Sequence, residues 1–113
     1  MQIDIQSQGF ALTHGMRDYA EGRLRFALVR AGERIRRVAV HLYDVHGPRG
    51  GRSKCCRIQV MLNGSAAVVI EETQADHYLA IYRATGRKLM RRLARHDARP
   101  GEDWTGLATP AAR

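Results

Sequence analysis

The stretch from His77 to His96 holds six Arg/Lys residues and no acid, interleaved with an apolar series at helical spacing. At about 100° per residue, Tyr78, Ile81, Tyr82, Thr85, Leu89 and Leu93 share one arc. Arg83, Arg87, Lys88, Arg91, Arg92 and Arg95 fill the rest. Such a helix buries one stripe only, so the remainder of the chain has to offer it an apolar surface. The other side has an unusual charge pattern. Arg83, Arg87, Arg91 and Arg95 stand four residues apart, a spacing at which like charges cost roughly 0.2–0.5 kcal/mol per pair. Repulsion tolerated in the free protein is most simply explained by a polyanion in the bound one.

The receiving surface is legible upstream. Ile3 and Ile5 alternate with polar neighbours in a short half-buried strand closed near Gly9. Thr13 offers an N-cap for a helix whose stripe is Met16, Tyr19, Ala20, Leu24 and Ala27, ending before Gly32. Arg17 and Arg25 lie off that stripe. Arg23 falls within it, which is acceptable if its stem packs and its head reaches water. Val38, Val40 and Leu42 mark a strand over about 36–45, and Cys56, Ile58, Val60 and Leu62 mark another. Between them, His46 to Ser53 is glycine-rich and basic and reads as a mobile loop. Asn63-Gly64 predicts a hairpin turn into a returning strand over 66–72, and Asp76 caps the basic helix. The order is β-α-β-β-β-α, an α+β fold with one four-stranded sheet covered on one face by two helices.

With 113 residues, 44% of them apolar, the chain builds one domain, placed here at 1–96 and followed over 97–113 by an aperiodic tail expected to be flexible. A formal charge of +8 points to nucleic acid, an anionic surface or an acidic protein. No apolar run reaches the roughly 18–20 residues of a membrane span, and the N-terminus lacks a signal peptide's apolar stretch. The expectation is therefore a cytoplasmic protein with no membrane partner. The adjacent Cys55 and Cys56 point to opposite faces of a strand, which predicts one packed thiol, Cys56, and one exposed thiol, Cys55. The five histidines show no metal-ligand spacing and read as surface or strand residues. No nucleophile and base pair stands at a recognisable spacing, so neither enzyme activity, cofactor nor small-molecule substrate is expected.

Several stretches then match a known family: the opening MQIDIQSQGFALTHGMRDYAEGRL, the run RIRRVAVHL, the Asn63-Gly64 hairpin, and Asp76-His-Tyr-Leu-Ala-Ile81 leading into a basic helix. Together they cover about residues 1–96. The chain resembles the ribosome hibernation promoting factors, also called ribosome-associated inhibitors or subunit interface proteins and formerly sigma-54 modulation proteins, in their short form. The resemblance implies the same β-α-β-β-β-α fold and binding to the small ribosomal subunit, in the channel used by messenger and transfer RNA, which blocks translation under stress or in stationary phase. It also implies a possible separate ribosome dimerisation factor as a partner. Relative to short members, spacing within the last helix is shifted by one residue, with Gly86 near its middle. A central glycine costs about 1 kcal/mol relative to alanine.

The RNA-binding candidates are Arg83, Arg87, Lys88, Arg91, Arg92 and Arg95, with Arg17, Arg23 and Arg25 as secondary members. Arginine forks bind phosphate at two points and fix position without reading sequence. Arg49, Arg52 and Lys54 leave two readings open, a phosphate-wrapping loop or a plain one. Tyr78 and Tyr82 are expected in the core. Trp104 is either an unpartnered tail residue or one that folds back or inserts into a partner groove. The alternative function is a regulatory module binding an acidic protein such as a sigma factor.

Overall fold

The computed structural model describes residues 2–29, 34–46, 52–64 and 67–97. Its sheet has the strand order β1 (Gln2–Gln8), β2 (Ile35–His46), β3 (Arg52–Leu62) and β4 (Val68–Gln74). β1 runs parallel to β2, connected through helix α1 (His14–Leu28), whereas β2, β3 and β4 form an antiparallel meander. The expected element order and the single four-stranded sheet are therefore observed.

Alternation decides which face is apolar. Ile5 pairs with Val40, Val40 with Ile58 and Ile58 with Ile70, giving one buried row across all four strands. Val38, Val60 and Val68 give the next row. Each side chain so buried stabilises the fold by roughly 1.5–3 kcal/mol. A register shift between Ile35 and Arg37 breaks the alternation, and Ile35 and Val38 both turn inward, as an extra residue in a bulge allows. Onto this face α1 lays Ala20, Leu24 and Leu28, four residues apart. Thr13 caps it, its hydroxyl accepting from the Met16 N–H at 3.1 Å.

The last helix is interrupted. α2 (His77–Arg83) is capped by Asp76, whose carboxylate accepts from the Tyr78 N–H at 3.2 Å. The helix then kinks within Ala84–Lys88, where Gly86 has a non-helical backbone at φ −90°, ψ −128°, and α3 (Leu89–Asp97) completes it. This interruption sets the burial. On a uniform helix Ile81 and Leu93 would sit about 120° apart, and the non-helical residue at Gly86 breaks that phase. Ala80, Ile81, Ala84, Thr85, Leu89 and Leu93 thus all reach the sheet.

Four expectations need correction. Tyr78 and Tyr82 are exposed rather than core, because the buried stripe of α2 is centred on Ala80, Ile81 and Ala84. Cys55 is not an exposed thiol: it is 3% exposed, although it lies on the sheet face opposite Cys56. Tyr43 stands opposite it on β2, and its interaction with the Cys55 thiol, followed by burial, raises the Tyr43 phenol above its ordinary value. His77 is a buried residue rather than a surface one. The expected loop is shorter than 46–53, since β2 runs to His46 and β3 begins at Arg52. Residues 47–51 and the tail beyond Asp97 lie outside the described residues.

Candidate nucleic-acid interface

Two amphipathic elements meeting on one sheet leave their polar sides adjacent. Arg23 of α1 joins Tyr82, Arg83, Gly86, Arg87 and Lys88 of the interrupted helix around a groove of about 520 Å³, with Glu72 of β4 at its edge. Arg23 explains its place within the α1 stripe. Its Nε donates to Thr85 Oγ1 at 3.0 Å, its Nη2 donates to the Tyr82 carbonyl at 3.1 Å, and its guanidinium lies 4.5 Å from the centre of the Tyr82 ring. Thr85 Oγ1 in turn donates to the Ile81 carbonyl at 2.7 Å. Arg23 therefore pins α1 to the helix just before its kink at Gly86. It holds the groove's shape as well as its charge.

Lys88, Arg91, Arg92 and Arg95 line a second depression, beside β4. Here the cations divide. Arg92 Nη1 donates to the Val69 carbonyl at 2.8 Å, and Lys88 Nζ donates to the Glu71 carbonyl and, at 3.2 Å, to Glu72 Oε1. Burial pushes the Glu72 carboxyl up, but hydrogen bonds from Gln74 and Lys88 and the charges of Lys88 and Arg83 outweigh it. Glu72 sits below the ordinary carboxylate range as a result. Arg87, Arg91 and Arg95 are exposed and, among the described residues, make no hydrogen bond or ion pair.

Of the nine candidate residues, Arg23, Arg83, Arg87, Lys88, Arg91, Arg92 and Arg95 are thus brought together along the interrupted helix. Arg17 and Arg25 line neither depression. Arg17 is exposed, and Arg25 is held by Glu21 four residues earlier, 2.9 Å away. Lys54, left open between loop and phosphate ligand, is paired with Asp44 at 3.0 Å. Two contributors went unread in the sequence. Glu72 continues the inward alternation of Val68 and Ile70, so an acid on the apolar phase of a strand was the available signal. Tyr82 is the aromatic platform under Arg23.

A titratable cluster lies at the start of α2. The His77 ring is 7% exposed and stacks on Phe10 with centroids 4.3 Å apart. Its Nε2 lies 3.4 Å from Asp44 Oδ1, and neither ring nitrogen has a hydrogen bond. Burial, reinforced by the Lys54 charge, pushes His77 below its ordinary value against the opposing pull of Asp44. The hydrogen bond from Lys54 holds Asp44 down, although burial opposes it. Among the described residues no group of three or more His, Cys, Asp or Glu is placed to hold a metal ion, and no helix is long and apolar enough to cross a membrane.

An extended basic helix face beside a shallow groove is a candidate surface for a polyanion. Known proteins of this shape bear on which. Comparison with curated proteins finds no match. Among solved structures, the chain is similar to a ribosomal subunit interface protein from Coxiella burnetii, with a TM-score of 0.70 and 20% identity over 88% of this chain and 100% of that one. It is also similar to the N-terminal domain of Thermus thermophilus Protein Y, with a TM-score of 0.63 and 28% identity over 81% of this chain and 96% of that one. The family model described as "Sigma 54 modulation protein / S30EA ribosomal protein" matches residues 3–100, nearly the whole described fold together with its cationic helix, and the chain belongs to that family.

Proposed function

We propose that this protein is a non-enzymatic, cytoplasmic translation inhibitor that binds the small ribosomal subunit through the cationic face of its last helix. Bound there, it excludes messenger and transfer RNA by occupying their channel under stress or in stationary phase. Membership of a ribosome-associated family supports the ribosome as the target. The observation that carries the RNA contact is the state of Arg87, Arg91 and Arg95: exposed, four residues apart and, among the described residues, without a hydrogen bond or ion pair. Charges left uncompensated in this way are available to phosphates at no cost in broken ion pairs. Arg83 and Arg23 extend the surface across the groove, while Lys88 and Arg92 border it from the sheet side.

Reversing Arg87 and Arg91 together to Glu tests the reading, since both side chains are exposed and neither makes a hydrogen bond or ion pair among the described residues. Cosedimentation with small subunits should be abolished, with circular dichroism unchanged. Wild-type binding should fall with salt at a log–log slope of roughly −0.7 to −0.9 per phosphate neutralised. Full binding by the double reversal overturns the electrostatic contact.

A further inference from the structure

Phe26 is 80% exposed and Val29 73%, though both are large apolar side chains at the end of a helix whose other face is fully buried. With Ala27 and Met90 they line a groove of about 410 Å³ between α1 and the interrupted helix, which Gly86 and Arg23 also line. Single exposed apolar residues are ordinary, whereas a contiguous apolar groove with a charged rim marks a contact surface. The groove's neighbour is the cationic one, which shares Arg23 and Gly86 with it and adds Arg87. A fitting occupant therefore carries an apolar anchor directly beside acids.

The chain itself contains such a segment. Beyond Asp97 the sequence reads ARPGEDWTGLATPAAR, in which Glu102 and Asp103 immediately precede Trp104, the only tryptophan. Trp104 is seven residues past the end of α3, a reach of up to about 25 Å. Met90 lies the same number of residues back along the helix, about 10 Å away at its rise per residue. The chain thus has slack to reverse direction, and Pro100-Gly101 is a turn-favouring pair at the right place for it. A tether this short holds its end at an effective concentration in the millimolar range, so one aromatic contact and two charge contacts suffice.

We propose that the C-terminal segment folds back on its own domain, seating Trp104 in the Phe26–Val29–Met90 groove with Glu102 and Asp103 against Arg23 and Arg87. The segment then covers the exposed apolar patch and neutralises part of the cationic face. Competition between the tail and RNA for those arginines follows from this docking, and it alone rests on the function proposed above.

Because Trp104 is the sole tryptophan, its fluorescence reports the contact directly. In the full chain its emission should be blue-shifted from that of a peptide of residues 98–113. Acrylamide quenching should be several-fold weaker, and both should be independent of protein concentration. The double substitution Phe26→Ser with Val29→Ser, at positions too exposed to disturb the core, should return both signals to the peptide's values with unchanged circular dichroism. Glu102→Lys with Asp103→Lys should do so in part. Peptide-like emission in the wild-type chain overturns the docking, as does protection that survives the groove substitutions. Protection that grows with protein concentration also overturns it, since the tail would then be entering a second copy. Removing residues 98–113 should tighten binding to small-subunit RNA several-fold at low salt. Unchanged affinity alongside a protected Trp104 removes the competition and leaves the docking in place.

Discussion

The outer face of the sheet and the solvent side of the last helix both carry arginines, and they use them in opposite ways. On the sheet, Arg37 meets Asp4 at 2.7 Å, and Arg57 lies 3.9 Å from Glu71, its cross-strand partner, which also accepts from the Tyr43 hydroxyl at 3.1 Å. Exposed pairs of this kind contribute about 0–1 kcal/mol each and leave little net field. On the helix, Arg87, Arg91 and Arg95 are paired with no acid among the described residues. Pairing, rather than the number of cations, therefore distinguishes the face proposed to meet a partner.

The contrast is broken most directly by moving the same charge reversal between the two faces. Arg37→Glu with Arg57→Glu should leave cosedimentation with small subunits within a few-fold of wild type, whereas Arg87→Glu with Arg91→Glu should eliminate it. Equal losses would mean that net charge alone governs binding. A smaller but clear effect separates the buried and exposed sides of α3. Leu89→Ala should destabilise by roughly 2–5 kcal/mol in chemical denaturation, and Met90→Ala by about 0.5 kcal/mol or less. The reverse ranking would place the helix in a different phase. Arg23→Gln should cost roughly 1–2 kcal/mol through the lost charged hydrogen bonds to Thr85 and the Tyr82 carbonyl, and should loosen the groove without altering the sheet.

The smallest effect is on pH dependence. A native His77 held below its ordinary value binds fewer protons than the same residue in the unfolded chain. Its stabilising contribution is complete above about pH 6.5 and is lost as pH falls below it. Asp44 and Glu72, whose values are lowered, give up theirs only in the more acidic range near and below 4. Thermal denaturation across pH 5–7 should show the first decline in wild type and none in His77→Phe, which keeps the stack on Phe10. A decline that persists in the variant assigns it elsewhere.

Much of the fold could be read from residue order because its signals are local. Alternation marked the four strands, Thr13 and Asp76 capped the helices as expected, and Asn63-Gly64 led into the antiparallel β4, with Gly64 at φ +69°. The failures share a cause. A periodicity argument assumes one continuous helix, whereas across the kink at Gly86 the buried stripe runs from Ala80, Ile81 and Ala84 to Leu89 and Leu93 and leaves Tyr78 and Tyr82 exposed. Alternation likewise assigns a side chain to a face without saying what lies over it, and so Cys55 was misjudged. The division of the cations into tethered and free depended on β4 passing under Lys88 and Arg92, a long-range contact that spacing cannot reveal.

That contact has a second consequence. β4 ends the sheet, and an uncovered terminal strand is a template on which another chain can add its own strand, the first step towards aggregation. Lys88 and Arg92 occupy the carbonyls of Glu71 and Val69 and place two positive charges along that border. The helix is therefore also the guard of the strand beside it. A phosphate that drew Lys88 and Arg92 away would unguard the border, so in the proposed complex the load of RNA would fall on Arg87, Arg91 and Arg95, which hold no part of that border.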